Sequence, residues 1–378
     1  MTASSTPPPS GPDALGAIGW PLVEDAAGFE DWRRLMSAHP GARPARVVEQ
    51  HRTGYIVADA PGTAFGVESL GDWLRPPGYR EGRTDPTDRP GVGDWLLVEG
   101  DPKQAKAVAL LPRRSAIKRG AAGEHYRQQL IAANVDVAFV VCGLDGDFNP
   151  RRIERYLLLV QGGGVEPVIA LTKADLVDVE AAIEALRGVV GAEVAVFTVN
   201  AKHAPSVAQL DPWLAAGRTA VLVGSSGAGK STLTNTLLGI ERMKTGAVRE
   251  HDSRGRHTTT HRTLIPLPQG GCLIDTPGMR ELKPTGEEDV GDTFADIEQL
   301  AAQCRFRDCA HEKEPGCAVR AAVEGGALDP QRLANFRKLS DEVAGAANRL
   351  ATRRQQKADA KVLTRALHKR LDEKHGRH

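Results

Sequence analysis

Eight consecutive residues of this 378-residue chain, Gly224, Ser225, Ser226, Gly227, Ala228, Gly229, Lys230 and Ser231, match G-x-x-x-x-G-K-[ST] at every fixed position. The pattern is built to hold phosphate. Glycines let backbone N–H groups curl around an anion, Lys230 reaches the β- and γ-phosphates, and the Ser231 hydroxyl ligates Mg²⁺. The apolar run Val221, Leu222 and Val223 before it reads as a strand, and Thr232 leads "TLTNTLLG" into a helix whose positive end faces the anion. The competing reading is a chance Gly-rich turn with a surface lysine, which the strand before and the helix after disfavour.

A second cluster carries metal chemistry. Cys304, Cys309, His311 and Cys317 form C-x4-C-x-H-x5-C, three soft thiolates and one imidazole. That donor set suits a tetrahedral Zn²⁺ ion, although the spacing is not that of a common zinc finger. Disulfides and free structural thiols are the rival readings; a chain without a secretory signal stays reduced, which favours the metal. Cys142 in "VAFVVCGL" and Cys272 in "GGCLID" sit in apolar strand-like runs and read as packed core residues.

A phosphate loop does not say which base is bound. Downstream, "QKAD" at Gln356 to Asp359 lies in a charged helical stretch with no strand before it and is discounted. Upstream, "VEPVIALTKADL" sets Thr172, Lys173, Ala174 and Asp175 at the end of an apolar run, where they read as a guanine motif of the [NT]-K-x-D type. An Asp carboxylate there accepts two hydrogen bonds from guanine N1–H and the 2-amino group, which adenine does not offer. The usual first residue is Asn, and the shorter Thr172 would weaken the contacts that brace the phosphate loop. Further along, "AEVAVFTVNAK" ends a strand with Asn200, Ala201 and Lys202, similar to the Ser-Ala-Lys loop whose backbone meets the guanine oxygen.

Beyond the phosphate loop, "RGRHTTTHRTLIPL" reads as a first switch segment. "CLIDTPGM" follows, in which Asp275 ends a strand and Thr276, Pro277 and Gly278 complete D-x-x-G. Asp275 would hold Mg²⁺ through water, and the Gly278 amide would meet the γ-phosphate. The order is therefore base motif, base loop, phosphate loop, switch one, switch two, whereas ordinary GTPases begin with the phosphate loop. The chain reads as a circularly permuted GTPase. A parallel doubly wound sheet tolerates permutation when the old ends are close enough to join and the new ends open at a surface loop.

The permuted order, "RGRHTTT", "DTPG" and "CRFRDCAHEKEPGCAV" together resemble the ribosome-small-subunit-dependent GTPases of the RsgA/YjeQ type, from about Gly19 to about Ala360. The resemblance implies zinc at the same Cys304, Cys309, His311 and Cys317, and Mg²⁺ together with GTP. It also implies the small (30S) ribosomal subunit and its rRNA as partners, and a cycle in which GTP favours the bound form and hydrolysis favours release.

The elements that must position these residues fall into four segments. Residues 1–42 read as a disordered or extended tail. Residues 43–120 carry short alternating segments around "RPPGYREGRTDPTDRPGVGD" and read as small all-β; the resemblance implies an OB-type barrel that binds RNA. Residues 121–290 alternate strand and helix as an α/β P-loop GTPase domain requires. Residues 291–378 read as a helical zinc-binding domain with a basic C-terminal helix.

Net charge of +1 hides an asymmetry: Arg349 to His378 holds ten Lys or Arg against three Asp or Glu. Such a patch attracts phosphate backbones, against the plain reading of a solvated helix face. Arg113, Arg114, Lys118 and Arg119 form a smaller group. No apolar run reaches the roughly eighteen residues that cross a membrane, and "MTASSTPPPSGP" has neither the basic start nor the apolar core of a signal peptide. A cytoplasmic monomer is the expectation.

Met279 stands where Ras-type GTPases carry the glutamine that orients the attacking water. A thioether cannot do this, so unassisted hydrolysis should be slow. His257, beside Thr258, Thr259 and Thr260, is the internal group that would hydrogen-bond water near the γ-phosphate, against the reading of an exposed loop histidine. One of these threonines completes Mg²⁺ coordination, with Thr259 the candidate. The rival functions are a P-loop ATPase or kinase, for which "TKAD" is accidental, an RNA scaffold that holds nucleotide without turnover, and a permuted GTPase of the large subunit.

Overall fold

The structure, a computed structural model, describes residues 12–22, 29–51, 54–74, 87–120, 128–145, 148–174, 179–187, 189–191, 193–240, 262–276, 285–286, 288 and 290–375. Its strands are β1 Arg43–Gln50, β2 Tyr55–Ala58, β3 Ala64–Val67, β4 Trp95–Glu99, β5 Lys106–Leu110, β6 Ala116–Gly120, β7 Gln128–Ala133, β8 Val137–Gly143, β9 Glu166–Thr172, β10 Ala195–Val199, β11 Thr219–Val223, β12 Thr263–Pro266 and β13 Cys272–Asp275.

Six of these make a doubly wound sheet in the order β10-β9-β8-β11-β13-β12, parallel throughout except for the antiparallel β12. Every residue of β8, "VAFVVCG", and of β11, "TAVLV", is buried. Continuous apolar runs of this kind are what strands covered by helices on both faces require. The helices Pro150–Gln161 and Val179–Arg187 cross from β8 to β9 and from β9 to β10. Asn149 starts the first of them: its side chain accepts a hydrogen bond from Arg152 N at 3.2 Å, and Pro150 occupies the first turn, where no N–H is needed. The order reverses at β11, which pairs with β8 on one side and β13 on the other, so the crevice beyond its C-terminal end is the switch point of the sheet.

A five-stranded antiparallel unit precedes this sheet. β1 pairs with β2 and β4, β2 with β3, and β4 with β5; a parallel bridge between Glu68 and Lys106 ties the end of β3 to the start of β5. Val47, Val57, Leu96 and Val98 fill its interior. The Glu49–Thr263 pairing between β1 and β12 carries the hydrogen-bonding from this unit into the α/β sheet. Arg46 lies fully buried at the joint. Its guanidinium donates to Ile18 O at 2.7 Å, Asn134 O at 3.0 Å and Gly93 O at 3.2 Å, and lies 5.2 Å from the centroid of the Trp95 ring.

The described part of the expected N-terminal tail is not extended. Pro12–Gly16 and Phe29–Ala38 are helical, Trp32 is fully buried and its indole N–H donates to Pro112 O at 2.7 Å. The tail reading followed the Pro/Ser-rich first residues and missed the aromatic group of Trp20, Phe29 and Trp32 that packs on Trp95.

At the other end, Ala295–Ala301, Ala318–Glu324 and the 46-residue helix Pro330–His375 enclose Phe294, Ile297, Val319 and Leu339. The long helix docks on Pro150–Gln161 through an ionic network centred on the buried Glu154 and Arg332. Arg332 bonds Glu154 at 2.8 Å and Asp296 at 2.6 Å, Asn335 also donates to Glu154, and Arg155 meets Glu342 at 2.5 Å. No helix among the described residues is long and apolar enough to cross a membrane.

Candidate functional site

The phosphate loop runs from the buried end of β11 into the helix Lys230–Leu238. Its shape depends on glycine. At Gly224, with φ of 145°, a Cβ atom would stand 2.1 Å from Val141 O, so no other residue lets the loop leave β11 alongside β8. Gly227 and Gly229 also have positive φ, at 82° and 93°. The Lys230 ammonium folds back over the loop, donating to Gly224 O at 2.8 Å and Ser225 O at 2.5 Å. Backbone and lysine thus converge on the N-terminal end of a helix, where partial positive charge gathers.

Two strands over, β9 ends at Thr172, which is buried. Its hydroxyl donates to Ala228 O at 2.6 Å, inside the phosphate loop. The shorter side chain still reaches the loop, because β9 brings its end close enough for one Oγ1 to bond there. Lys173 follows with φ of 59°, and its ammonium pairs with Asp145 in the segment after β8. Ala174 is described; Asp175 lies outside the described residues.

Asn200 and Ala201 follow β10. Asn200 N donates to Ser206 Oγ at 2.9 Å, and Asn200 Oδ1 accepts from Lys202 N at 3.0 Å. Ala201 O accepts from Thr236 Oγ1 at 2.6 Å, which ties this loop to the helix that follows the phosphate loop. Asp275 ends β13 opposite Thr263, and the buried Thr276 donates to Leu222 O at 3.4 Å. Segments up to a hundred residues apart in sequence thus meet at one end of the sheet. His257, Thr259, Gly278 and Met279 lie outside the described residues. The discounted "QKAD" segment sits inside the helix Pro330–His375 and follows no strand.

The sulfur and nitrogen atoms of Cys304, Cys309, His311 and Cys317 all lie within 4.8 Å of one another. Cys304 and Cys317 Sγ stand 3.9 Å apart, and His311 Nδ1 is 3.6 Å from the first and 3.5 Å from the second. Thiolates at about 2.3 Å and an imidazole at about 2.0–2.1 Å from a tetrahedral zinc would be spaced by about 3.5–3.8 Å. The donors therefore fit a metal ion, and the sulfur separation is far beyond a disulfide bond. Burial by itself would raise the Cys304 thiol, but backbone N–H groups of Val319 and Ala318 and the neighbouring thiols hold it below the usual value. Burial, with Arg337 alongside, lowers His311 and keeps it the neutral ligand a metal needs.

Supports of these ligands were not legible beforehand. Arg337 donates to His311 O, and Glu314 accepts from Ala310, Glu312 and Lys313 N, at 3.2, 2.8 and 3.0 Å. Asp145, Ser206 and Thr236 were likewise missed. Each acts on a residue distant in sequence or through a single backbone atom, and neither leaves a spacing signal.

Comparison with known proteins follows the same line. A family model described as RsgA GTPase matches residues 110–285. The small ribosomal subunit biogenesis GTPase RsgA of Xanthomonas campestris pv. campestris (strain B100) is 64% identical over 344 residues, covering 90% of this chain and 91% of that protein. The protein of the same name from Xanthomonas euvesicatoria pv. vesicatoria (strain 85-10) is 62% identical over 354 residues, 92% and 93% of the two chains. Among solved structures, YloQ, a circularly permuted GTPase, aligns with a TM-score of 0.55 at 23% identity, covering 80% of this chain and 95% of that one. YjeQ from Thermotoga maritima aligns with a TM-score of 0.57 at 23% identity, covering 80% and 99%. These two likenesses establish the permuted α/β fold.

Proposed function

The chain belongs to the RsgA GTPase family, and from that premise we propose that it hydrolyses GTP in the late biogenesis of the small ribosomal subunit, coupling turnover to its own release. The observation that carries this reading is the Thr172–Ala228 hydrogen bond, which joins the base motif to the phosphate loop although the base motif comes first in sequence. A nucleotide spanning both would engage them as one unit.

In this reading Thr172, Lys173, Ala174 and Asp175 take the guanine, with Asn200 and Ala201 on its far edge. Residues Gly224 to Gly229 offer backbone N–H groups to the phosphates, and Lys230 swings from its own loop carbonyls to the β- and γ-oxygens. Ser231 and Thr259 are the Mg²⁺ ligands, Thr232 adds a phosphate contact, and Asp275 acts through water with Gly278 at the γ-phosphate. The ion, when bound, neutralises charge that develops on the transferred phosphoryl group. His257 is the internal candidate for orienting the attacking water, since Met279 cannot. Turnover by the isolated protein is slow, and contact with the subunit completes the site.

Zinc is the metal we assign to Cys304, Cys309, His311 and Cys317, on the donor set and its spacing. The unit of β1 to β5 reads as an OB-type barrel, because its strand order with the Glu68–Lys106 bridge is that of a partly open five-stranded Greek-key barrel. The segments 1–42, 43–120, 121–290 and 291–378 remain the proposed division, with ribosomal RNA meeting the barrel and the basic helix. A cytoplasmic monomer completes the proposal.

The test is steady-state GTP turnover, alone and titrated with small subunits, with ATP and large subunits as controls. Slow turnover that rises only with small subunits supports the reading. Unchanged turnover sinks subunit activation and leaves a nucleotide-binding RNA scaffold, and equal use of ATP returns the P-loop ATPase.

A further inference from the structure

We infer that Asp145, in the segment between β8 and the helix Pro150–Gln161, is a positioning residue for guanine nucleotide, acting through Lys173; this rests on the guanine-site reading of Thr172 to Asp175.

The two ends of Lys173 are held separately. Its backbone, at φ of 59°, is in the left-handed region that residues with a side chain rarely adopt, and this turns the side chain off the line of β9 and back across β8. There the stem runs over Gly143. A Cβ atom at that glycine would sit 3.1 Å from Asp145 Oδ1 and 3.4 Å from both the Cδ and the Nζ of Lys173, so the lysine and its carboxylate lie together over bare backbone. The tip is then paired with the Asp145 carboxylate, each side chain about one-third exposed. Leu144 N donates to Thr172 O at 2.8 Å and Phe148 N to Asp145 O at 2.9 Å, so the segment that bears the carboxylate is itself anchored to the end of β9.

A lysine fixed at one end only samples many rotamers, and ordering it when a ligand arrives costs free energy at that moment. Held at both ends, its four-carbon stem presents a fixed apolar edge next to the motif, and the ordering is done before the base arrives. Asp145 therefore raises affinity for the nucleotide without touching it. Because the stem offers a face and not a hydrogen bond, the gain is the same for GTP, for GDP and for ITP, which lacks the 2-amino group.

The experiment is an equilibrium titration of the full-length protein with a fluorescent GDP analogue, for wild type, D145N, D145E, K173A and D145N/K173A, with GTP, ITP and ATP as competitors. D145N should weaken GDP, GTP and ITP alike by about threefold to fivefold, as befits a pair one-third exposed to solvent. D145E should recover most of the loss, and the double variant should bind no worse than K173A. In steady-state turnover the loss should fall on KM more than on kcat. A merely structural role predicts instead a lowered melting temperature, additive losses in the double variant and no rescue. Wild-type affinity in D145N, or additivity with K173A, would overturn the assignment. Competition by ATP as strong as by GTP in the wild-type protein would overturn the guanine reading, whichever way D145N behaves.

Discussion

Thr172 Oγ1 stands 2.6 Å from the carbonyl oxygen of Ala228, a hydrogen bond between the last residue of one buried strand and the middle of the phosphate loop two strands away. Both groups are buried, so loss of the donor leaves a carbonyl without its partner and costs about 1–3 kcal/mol. Thr172→Val keeps the shape and removes the donor. We expect its affinity for GDP to fall by roughly tenfold, read by titration with a fluorescent analogue. An unchanged dissociation constant would mean the loop holds its shape without the brace.

The metal cluster makes a prediction that needs no activity assay. The purified protein should carry one zinc per chain by elemental analysis, and Cys309→Ser or Cys317→Ser should bring this close to zero. The ligands join the loop before Ala318–Glu324 to the core of Phe294, Ile297 and Val319, so metal loss should remove the C-terminal helices' cooperative melting and leave the sheet folded. Full zinc content in both variants would show that the four donors do not act as one site.

Acid should loosen the long helix. The hydrogen bond and charge of Arg155 hold Glu342 below the usual glutamate value; burial raises Asp296, but the hydrogen bond and charge of Arg332 outweigh it and bring it down. A carboxylate depressed in the folded state contributes stability above its unfolded value, about 3.9 for Asp and 4.3 for Glu, and loses it as pH falls through the folded value. Burial raises Glu154 despite Arg151 and Arg332, so that group has the opposite sign: its contribution is largest at low pH and shrinks as pH climbs above about 4.3. Urea melts between pH 3 and 7 should show wild type losing more stability below about pH 4 than Glu342→Gln does. Parallel curves for the two would rule out a part for the Arg155–Glu342 pair.

Arg46 is expected to be the costliest single position outside the site. It donates to the carbonyls of Ile18, Gly93 and Asn134, of which Gly93 O also accepts from Asn134 Nδ2 at 3.1 Å, and burial lowers its pKa. Arg46→Met should destabilise the protein by about 3 kcal/mol, a sum over the carbonyls of Ile18 and Asn134, which lose their donor, while Gly93 O keeps Asn134 Nδ2. Arg46→Lys should be nearly as damaging, because an ammonium cannot span the fork. Scanning calorimetry decides it; a melting temperature within a degree of wild type for Arg46→Met would show that the joint does not depend on the guanidinium.

The candidate motifs were readable from the chain alone. The phosphate loop, the Thr172 to Asp175 motif and the Cys304–Cys317 cluster are contiguous, and each needs particular residue types at short fixed spacings, so their order along the chain was enough to infer the permutation. Alternating strands and helices likewise announced the doubly wound sheet, since buried parallel strands must be apolar throughout.

The tertiary structure decided what depends on distance through space. Whether a threonine in place of asparagine still braces the loop is a question of how far β9 carries Oγ1 toward Ala228, and no side-chain type answers it. Asp145 reaches Lys173 between the ends of the neighbouring strands β8 and β9, Arg337 supports His311 from the long helix, and Arg46 gathers carbonyls from three segments. A hydrogen bond to a backbone carbonyl asks nothing of the residue that supplies it, and an ion pair across strands has no fixed spacing in sequence. Such contacts exist only once packing has brought their segments together.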